Sequence, residues 1–185
     1  MYIPKKISEE IVLKNRHRKI IKKEFLEKNW EISSYLIYAH DTEITIWTFI
    51  LPLTKDGQII YIKEYRAWPE KVVISFPVGA LDDNITEIEN CKKELEEETW
   101  YTSENIIYLW DSIIENYYEW EAKYYVALNC ELKWKQELDV GENIDVYKTS
   151  VSDFYKMVLS WEVKSSKTAY CFLLAKEKGY FDWLL

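Results

Sequence analysis

The sequence predicts a single soluble domain of the α/β or α+β class, in which strands alternate with a few helices. Short runs rich in β-branched and aromatic residues alternate with segments in which apolar residues recur at helical spacing. The chain has 185 residues, which is enough to bury a substantial core, and one domain is the default at this length. A hydrophobic content of 48%, with 16% aromatic residues, is typical of a globular protein and argues against disorder.

The first distinctive segment, residues 14–25, is locally basic and reads KNRHRKIIKKEF. We interpret it as an exposed edge strand that Lys and Arg protect from unwanted pairing. The alternative is a surface that draws in phosphates.

Seven further strands are predicted from period-two or continuous apolar runs. They lie at residues 34–39, 43–53, 58–65, 72–76, 106–110, 124–128 and 144–148. Between the second and third of these, Asp56-Gly57 has the composition of a tight hairpin turn.

Helices are predicted at residues 86–99, 152–160 and 166–178. Thr86 is the expected N-cap of the first helix, which should bury Ile88, Cys91 and Leu95. Gly179 follows the last helix at the position where a left-handed glycine commonly ends a helix.

Charge, hydropathy and cysteine content exclude several classes of protein. A net charge of −8 disfavours nonspecific binding to nucleic acid or to an anionic membrane. The longest apolar run, residues 44–53, is too short to span a bilayer, and no secretory signal is visible. Three widely spaced cysteines indicate buried free thiols in a reducing cytoplasm. His17 and His40 lack ligand spacing, so zinc is not expected.

The segment from Gly79 to Tyr101, GALDDNITEIENCKKELEEETWY, carries the chemistry. Around a helix, Glu98 lies about 40° to one side of Glu94, and Glu97 lies about 60° to the other. Three like charges on one face repel each other, and a bound divalent cation turns that repulsion into attraction. Carboxylate oxygens suit Mg²⁺ or Mn²⁺, and Mg²⁺ also binds substrate phosphates. The alternative is a solvated acidic face.

This segment resembles the Nudix box of pyrophosphohydrolases, G-x5-E-x7-R-E-U-x-E-E-x-G-U, in which U is a bulky apolar residue. The positions that match in type and register are Gly79, Glu94, Leu95, Glu97 and Glu98, with Tyr101 as an aromatic variant of the final U. Three positions depart, because Ile85 replaces Glu, Lys93 replaces Arg and Trp100 replaces Gly. In the family the first Glu and the Arg brace one another, which Ile85 and Lys93 cannot do.

The flanks resemble the ADP-ribose pyrophosphatase branch of that family. Tyr65-Arg66 and Pro77-Val78-Gly79 fit its pattern, whereas Ser75 stands where many members have Glu. The resemblance implies the α/β/α Nudix sandwich with a mixed sheet. It also implies an N-terminal strand region at residues 1–45 that forms homodimers, followed by a Nudix domain at residues 46–185.

The resemblance also implies the roles of individual residues. Glu94 and Glu98 are expected to bind the metal directly, together with the backbone carbonyl of Val78, and Glu97 is expected to act at or next to the metal. Arg66 is expected to bind the substrate phosphates, with a structural ion pair as the alternative.

The general base of this branch comes from an acidic loop, which here contains Glu137, Asp139 and Glu142. Glu142 is our choice because Gly141 gives that loop the freedom to close. A solvated loop is the alternative. Tyr117 and Tyr118 have the chemistry to stack a nucleobase, although core or surface packing is the better interpretation of such common residues.

The predicted function is Mg²⁺-dependent hydrolysis of a nucleoside diphosphate derivative, with ADP-ribose cleaved to AMP and ribose 5-phosphate. One alternative is a nucleotide-binding or regulatory module that has lost catalysis with the three altered positions. Another is hydrolysis of a different nucleotide sugar or a dinucleotide.

The tryptophan and glycine contents are unusual, with 9 Trp and only 4 Gly. Typical usage predicts roughly 13 Gly. Trp100 and Trp161 each end an apparent helix, where glycine is favoured, and Trp68 and Trp120 lie in loop-like surroundings. One hypothesis is that some of these codons encode glycine in the source organism, and the alternative is compositional bias.

Overall fold

The computed structural model describes residues 1–41, 45–67, 69–113, 116–133 and 143–182. The chain divides into two compact units. One contains Met1–Ile46 and Ser112–Glu121, and the other contains Trp47–Asp111 and Ala122–Leu185.

The first unit is built on a three-stranded antiparallel sheet. Its strands are β1 (Lys5–Lys14), β2 (Arg18–Leu26) and β3 (Ile32–His40), in the order β1-β2-β3. The prediction of an edge strand at residues 14–25 is therefore wrong, because the basic strand β2 is paired on both sides. Strand β1 was not predicted, because its sequence, KKISEEIVLK, is rich in charged residues. It forms the edge of the sheet, and every one of its residues is exposed.

Tyr117 and Tyr118 pack within this unit. Tyr38 donates its backbone N–H to the carbonyl of Tyr117 at 2.8 Å. The ring of Tyr117 stacks on Tyr35 at 6.3 Å, and the ring of Tyr118 meets Tyr38 edge-on at 5.4 Å. These contacts favour the packing interpretation of the two tyrosines over a role in base stacking.

The second unit is built around an eight-stranded sheet. Its strands are β4 (Ile46–Thr54), β5 (Gln58–Arg66), β6 (Lys71–Ser75), β7 (Val78–Ala80), β8 (Tyr101–Thr102), β9 (Asn105–Ile113), β10 (Glu121–Leu132) and β11 (Ile144–Ser150). The strand order is β11-β5-β4-β10-β8, with β6, β7 and β9 pairing with β5, β4 and β10. The predicted hairpin joins β4 to β5, where Gly57 adopts a φ of 80°.

The described part of the chain contains three helices, α1 (Glu87–Thr99), α2 (Val151–Leu159) and α3 (Ser166–Glu177). As predicted, the side chain of Thr86 caps α1, and Glu89 completes the capping box by accepting the N–H of Thr86. Gly179 has the expected left-handed φ of 78° after α3. None of these helices is long and apolar enough to cross a membrane.

Helix α1 is held in place by its apolar side chains. Cys91 and Leu95 are fully buried in a cluster with Ile50, Ile60 and Tyr125. The prediction that Ile88 is buried is wrong, since 43% of it is exposed. The buried residues of the helix begin at Asn90, and Ile88 in the first turn faces solvent. The arrangement confirms the predicted α+β class.

Candidate metal and substrate site

The site begins at the turn that leads from β6 into β7. The carbonyl of Pro77 accepts the N–H of Ile50 at 3.0 Å, and β7 then pairs with β4. This pairing fixes the backbone of Val78 and Gly79 beneath α1. Glu98, which is 5% exposed, accepts the N–H of Val78 on Oε2 at 3.1 Å.

Gly79 makes room for the carboxylate of Glu94. A Cβ atom built on Gly79 would lie 1.9 Å from Cδ of Glu94, and 2.1 and 2.4 Å from its two oxygens. The backbone φ of Gly79 is not in the left-handed region, so the glycine is required here by space and not by conformation. Two of the predicted metal ligands, Glu94 and Glu98, therefore meet at the backbone of the third, Val78.

Glu97 lies next to the ammonium group of Lys93. Its Oε2 is 3.7 Å from Nζ of Lys93, and Lys93 is also 3.9 Å from Oε1 of Glu94. Lys93 donates its hydrogen bond to Asp82, at 2.6 Å. That hydrogen bond raises the pKa of Lys93, and the neighbouring glutamates add to the shift. Lys93 thus has an acidic partner in Asp82, which lies three residues before Ile85 in the sequence.

The donor set suits a hard divalent cation, although it is not fully assembled. Within the ranges that the structure describes, no three His, Cys, Asp or Glu side chains converge into a metal-binding group. The structure brings Glu94 and Glu98 to one backbone turn, and it leaves Glu97 at the edge beside Lys93. The carboxylate of Glu94 therefore lies against the Val78-Gly79 backbone, and its oxygens are of the type that a hard divalent cation binds.

Arg66 forms an ion pair with Glu64. The distance from Nη2 to Oε2 is 2.7 Å, and Glu64 is buried whereas 45% of the Arg66 side chain is exposed. This pair is the structural alternative considered for Arg66. Ser75, which replaces the family's Glu, is buried and donates to the carbonyl of Phe76 at 2.9 Å.

The predicted general base lies outside the described residues. This holds for Glu142 and for the neighbouring candidates Glu137 and Asp139. Trp68 is likewise not described.

Sequence reasoning missed Asn90, which joins α1 to the turn. Asn90 is fully buried, donates Nδ2 to Thr48 Oγ1 at 3.0 Å and accepts the N–H of Asp82 at 3.3 Å. Its spacing of four and eight residues from Glu94 and Glu98 was the available signal, because that spacing places all three on one stripe of a helix.

Trp100 and Trp161 have the conformation expected of glycine. Their φ values are 68° and 64°, and both side chains are exposed. Trp120, in contrast, is not left-handed and packs against Tyr38 and Arg18. The tryptophans that the sequence singles out therefore differ, since two have a backbone conformation typical of glycine and one is held by packing.

No family model matches the chain. The ADP-ribose pyrophosphatase of Bacillus subtilis (strain 168) is 30% identical over 130 residues. The match covers 65% of this chain and 66% of the relative, just under two thirds of its length. A solved crystal structure of an ADP compounds hydrolase superposes with a TM-score of 0.85 and 18% identity. That match covers 98% of this chain and 97% of the other, and it establishes the similarity of fold.

Proposed function

Because this chain belongs to the Nudix family, as an ADP-ribose pyrophosphatase-like member, we propose that it hydrolyses the pyrophosphate bond of a nucleoside diphosphate derivative. ADP-ribose is the proposed substrate, cleaved to AMP and ribose 5-phosphate. A divalent cation, Mg²⁺ or Mn²⁺, is the proposed cofactor.

The observation that carries this proposal is the meeting of Glu94 and Glu98 at the Val78-Gly79 turn. Glu98 accepts the Val78 N–H, and Glu94 occupies the space that a side chain at residue 79 would fill. Bringing two carboxylates against one strand backbone is opposed by their mutual repulsion and by the loss of hydration, and a bound divalent cation would offset both. Hard oxygen ligands gathered in this way are suited to a divalent cation.

In the proposed site, Glu94, Glu98 and the carbonyl of Val78 hold the cation, and Glu97 assists at its edge. When bound, the cation neutralises the charge on the pyrophosphate and lowers the pKa of a bound water. Glu142 would take a proton from the attacking water. The water oxygen bonds to one phosphorus of the pyrophosphate as the bridging P–O bond breaks, which separates AMP from ribose 5-phosphate.

Arg66 is proposed to bind the substrate phosphates. The side chain of Arg66 is 45% exposed, so its guanidinium group is accessible to a ligand beside the contact with Glu64. A guanidinium carries five N–H groups, more than one carboxylate uses, and its geometry suits phosphate oxygens.

Two further assignments accompany the proposal. We expect a homodimer formed through the first unit, whose β1 strand exposes apolar side chains, among them Ile7, Ile11 and Leu13. Light scattering coupled to gel filtration measures that mass directly. We also expect a cytoplasmic location, which the three buried free thiols support.

The function is tested by incubating the protein with ADP-ribose and Mg²⁺ or Mn²⁺ and separating the products by anion-exchange chromatography. AMP and ribose 5-phosphate in equal amounts are expected. A panel of nucleotide sugars and dinucleotides run in parallel identifies any better substrate. Calorimetry that detects ADP-ribose binding without release of AMP would instead identify a nucleotide-binding module without catalysis.

A further inference from the structure

We propose that Asp82 is a positioning residue that anchors Lys93 beside the metal-binding glutamates and keeps it from hydrogen-bonding to them. This inference rests on the proposed function, since it concerns the same cation site. It assigns a role to a position that the family's box pattern leaves unspecified.

The first support is the set of distances around Lys93. Its Nζ lies 2.6 Å from Asp82 but 3.9 Å from Glu94 and 3.7 Å from Glu97. The ammonium therefore donates its hydrogen bond to Asp82 and approaches the two glutamates only as a neighbouring charge. At these distances it offsets the repulsion between the carboxylates without occupying their oxygens.

The second support is that Asp82 is itself held in place from the core. Its backbone N–H donates to Asn90 Oδ1 at 3.3 Å, and Asn90 Nδ2 donates to Thr48 Oγ1 at 3.0 Å. Thr48 and Asn90 are fully buried, and Thr48 Oγ1 also lies 3.4 Å from the carbonyl of Gly79. The same buried amide thus fixes the backbone of Asp82 relative to the helix that carries the glutamates.

The positions of these charges also predict what the loss of Asp82 would do to cation binding. A freed lysine has Glu94 and Glu97 as its nearest acidic partners and competes with a cation for them. Loss of the lysine as well removes the competitor. The two residues should therefore show opposite effects on cation binding, which a simple loss of stability does not produce.

The test measures Mn²⁺ affinity by electron paramagnetic resonance, without substrate, so that it does not depend on turnover. Asp82→Asn should weaken Mn²⁺ binding by roughly two- to fivefold, because both side chains are partly exposed and solvent screens the pair. The double variant Asp82→Asn with Lys93→Met should bind Mn²⁺ at least as tightly as the wild type. Asp82→Glu should retain the wild-type affinity. Lys92→Met is the matched control. Lys92 lies on the same helix as Lys93 but pairs with Glu104, an exposed residue outside the helix, so its loss should not affect Mn²⁺ binding.

Thermal unfolding of each variant without metal identifies any that fails to fold. A folded Asp82→Asn variant with unchanged affinity overturns the positioning role and leaves the proposed function intact. A double variant that binds as weakly as the single one also overturns it. A wild-type protein that binds no Mn²⁺ removes both the positioning role and the proposed metal site.

An independent observation concerns the tryptophans. Six non-glycine residues in the described chain have a left-handed φ, and three of them are tryptophans, Trp30, Trp100 and Trp161. We infer that the natural protein has glycine at these three positions. A positive φ is a genuine outlier for a bulky side chain, whereas glycine adopts it freely.

The surroundings of each residue agree with this inference. Trp100 and Trp161 follow α1 and α2, where glycine commonly ends a helix. Trp30 lies in the five-residue loop between β2 and β3, where a turn position with a positive φ is one that glycine occupies without steric cost. All three side chains are exposed, at 82%, 42% and 82% for Trp30, Trp100 and Trp161, so none is explained by burial. A UGA codon that one genetic code reads as glycine and another as tryptophan accounts for the pattern.

Mass spectrometry of peptides from the source cells tests this inference. Glycine at residues 30, 100 and 161 is expected, encoded by UGA, and tryptophan in those peptides or UGG codons would overturn it. The triple glycine variant should melt higher than the tryptophan form, by roughly 2 to 4 °C per site. Trp120→Gly is the control and should melt lower, because Trp120 packs against Tyr38 and Arg18. A triple variant that melts lower would argue against the inference.

Discussion

Replacing Gly79 with alanine should disable the site while leaving the fold intact. The new Cβ would lie 1.9 Å from Cδ of Glu94, whereas carbon atoms in contact are normally about 3.5 to 4.0 Å apart. The carboxylate must therefore move by roughly 1.6 Å or more. Misplacement of a reacting or ligating group by about 1 Å can reduce turnover by a factor of about 100. We expect at least that loss in kcat for ADP-ribose, together with weaker Mn²⁺ binding.

The fold should tolerate this substitution, because the φ of Gly79 is open to alanine and the displaced group is the end of a flexible side chain. We expect a melting temperature within a few degrees of wild type. Gly57→Ala is the matched control, since Gly57 has a φ of 80° in the β4–β5 hairpin and its alanine variant is strained by about 1 to 2 kcal/mol. That variant should melt lower but keep its turnover and Mn²⁺ affinity. Wild-type turnover and Mn²⁺ binding in Gly79→Ala would refute the placement of Glu94 in the site.

Three further outcomes are expected. Glu98→Gln should abolish turnover in a folded protein. Glu96→Gln is the control and should keep turnover, because Glu96 binds Thr102 and Lys133 away from the site. Equal activity of the two variants would contradict the metal assignment. Thr86→Ala removes the capping box and should cost about 1 kcal/mol, lowering the melting temperature by roughly 2 to 4 °C in a calorimetric scan without loss of turnover. Burial raises the pKa of Cys91 and Cys130 to about 12, so these thiols in the native protein should not react with Ellman's reagent at pH 8. The free energy of unfolding should fall as the pH rises above the ordinary thiol pKa, because there the thiols ionise only in the unfolded chain.

The local features of the chain were predictable because they depend on residues within one or two turns of each other. The cap of α1 at Thr86 and the end of α3 before Gly179 follow from capping preferences. The hairpin at Asp56-Gly57 follows from turn chemistry. The stripe that carries Glu94 and Glu98 follows from the helical period.

Features that depend on distant partners were not predictable. The spacing that suggested a buried Ile88 contains no information on where the sheet stops covering the helix. The basic composition of β2 is compatible with an edge or a central strand, and only the pairing of β1 decides between them.

The sequence by itself determined the family resemblance, the acidic helix and the residues that a cation would use, because these are properties of spacing along one helix. The tertiary structure decided that Gly79 leaves room for Glu94. It also decided that Lys93 finds its acidic partner in Asp82, since Ile85 has no carboxylate to offer. Both depend on how a strand turn and a helix approach each other in space. That approach is set by the packing of Cys91 and Leu95 and by the buried amide of Asn90. The helical period places these residues on one side of the helix but does not identify their partners on the strands.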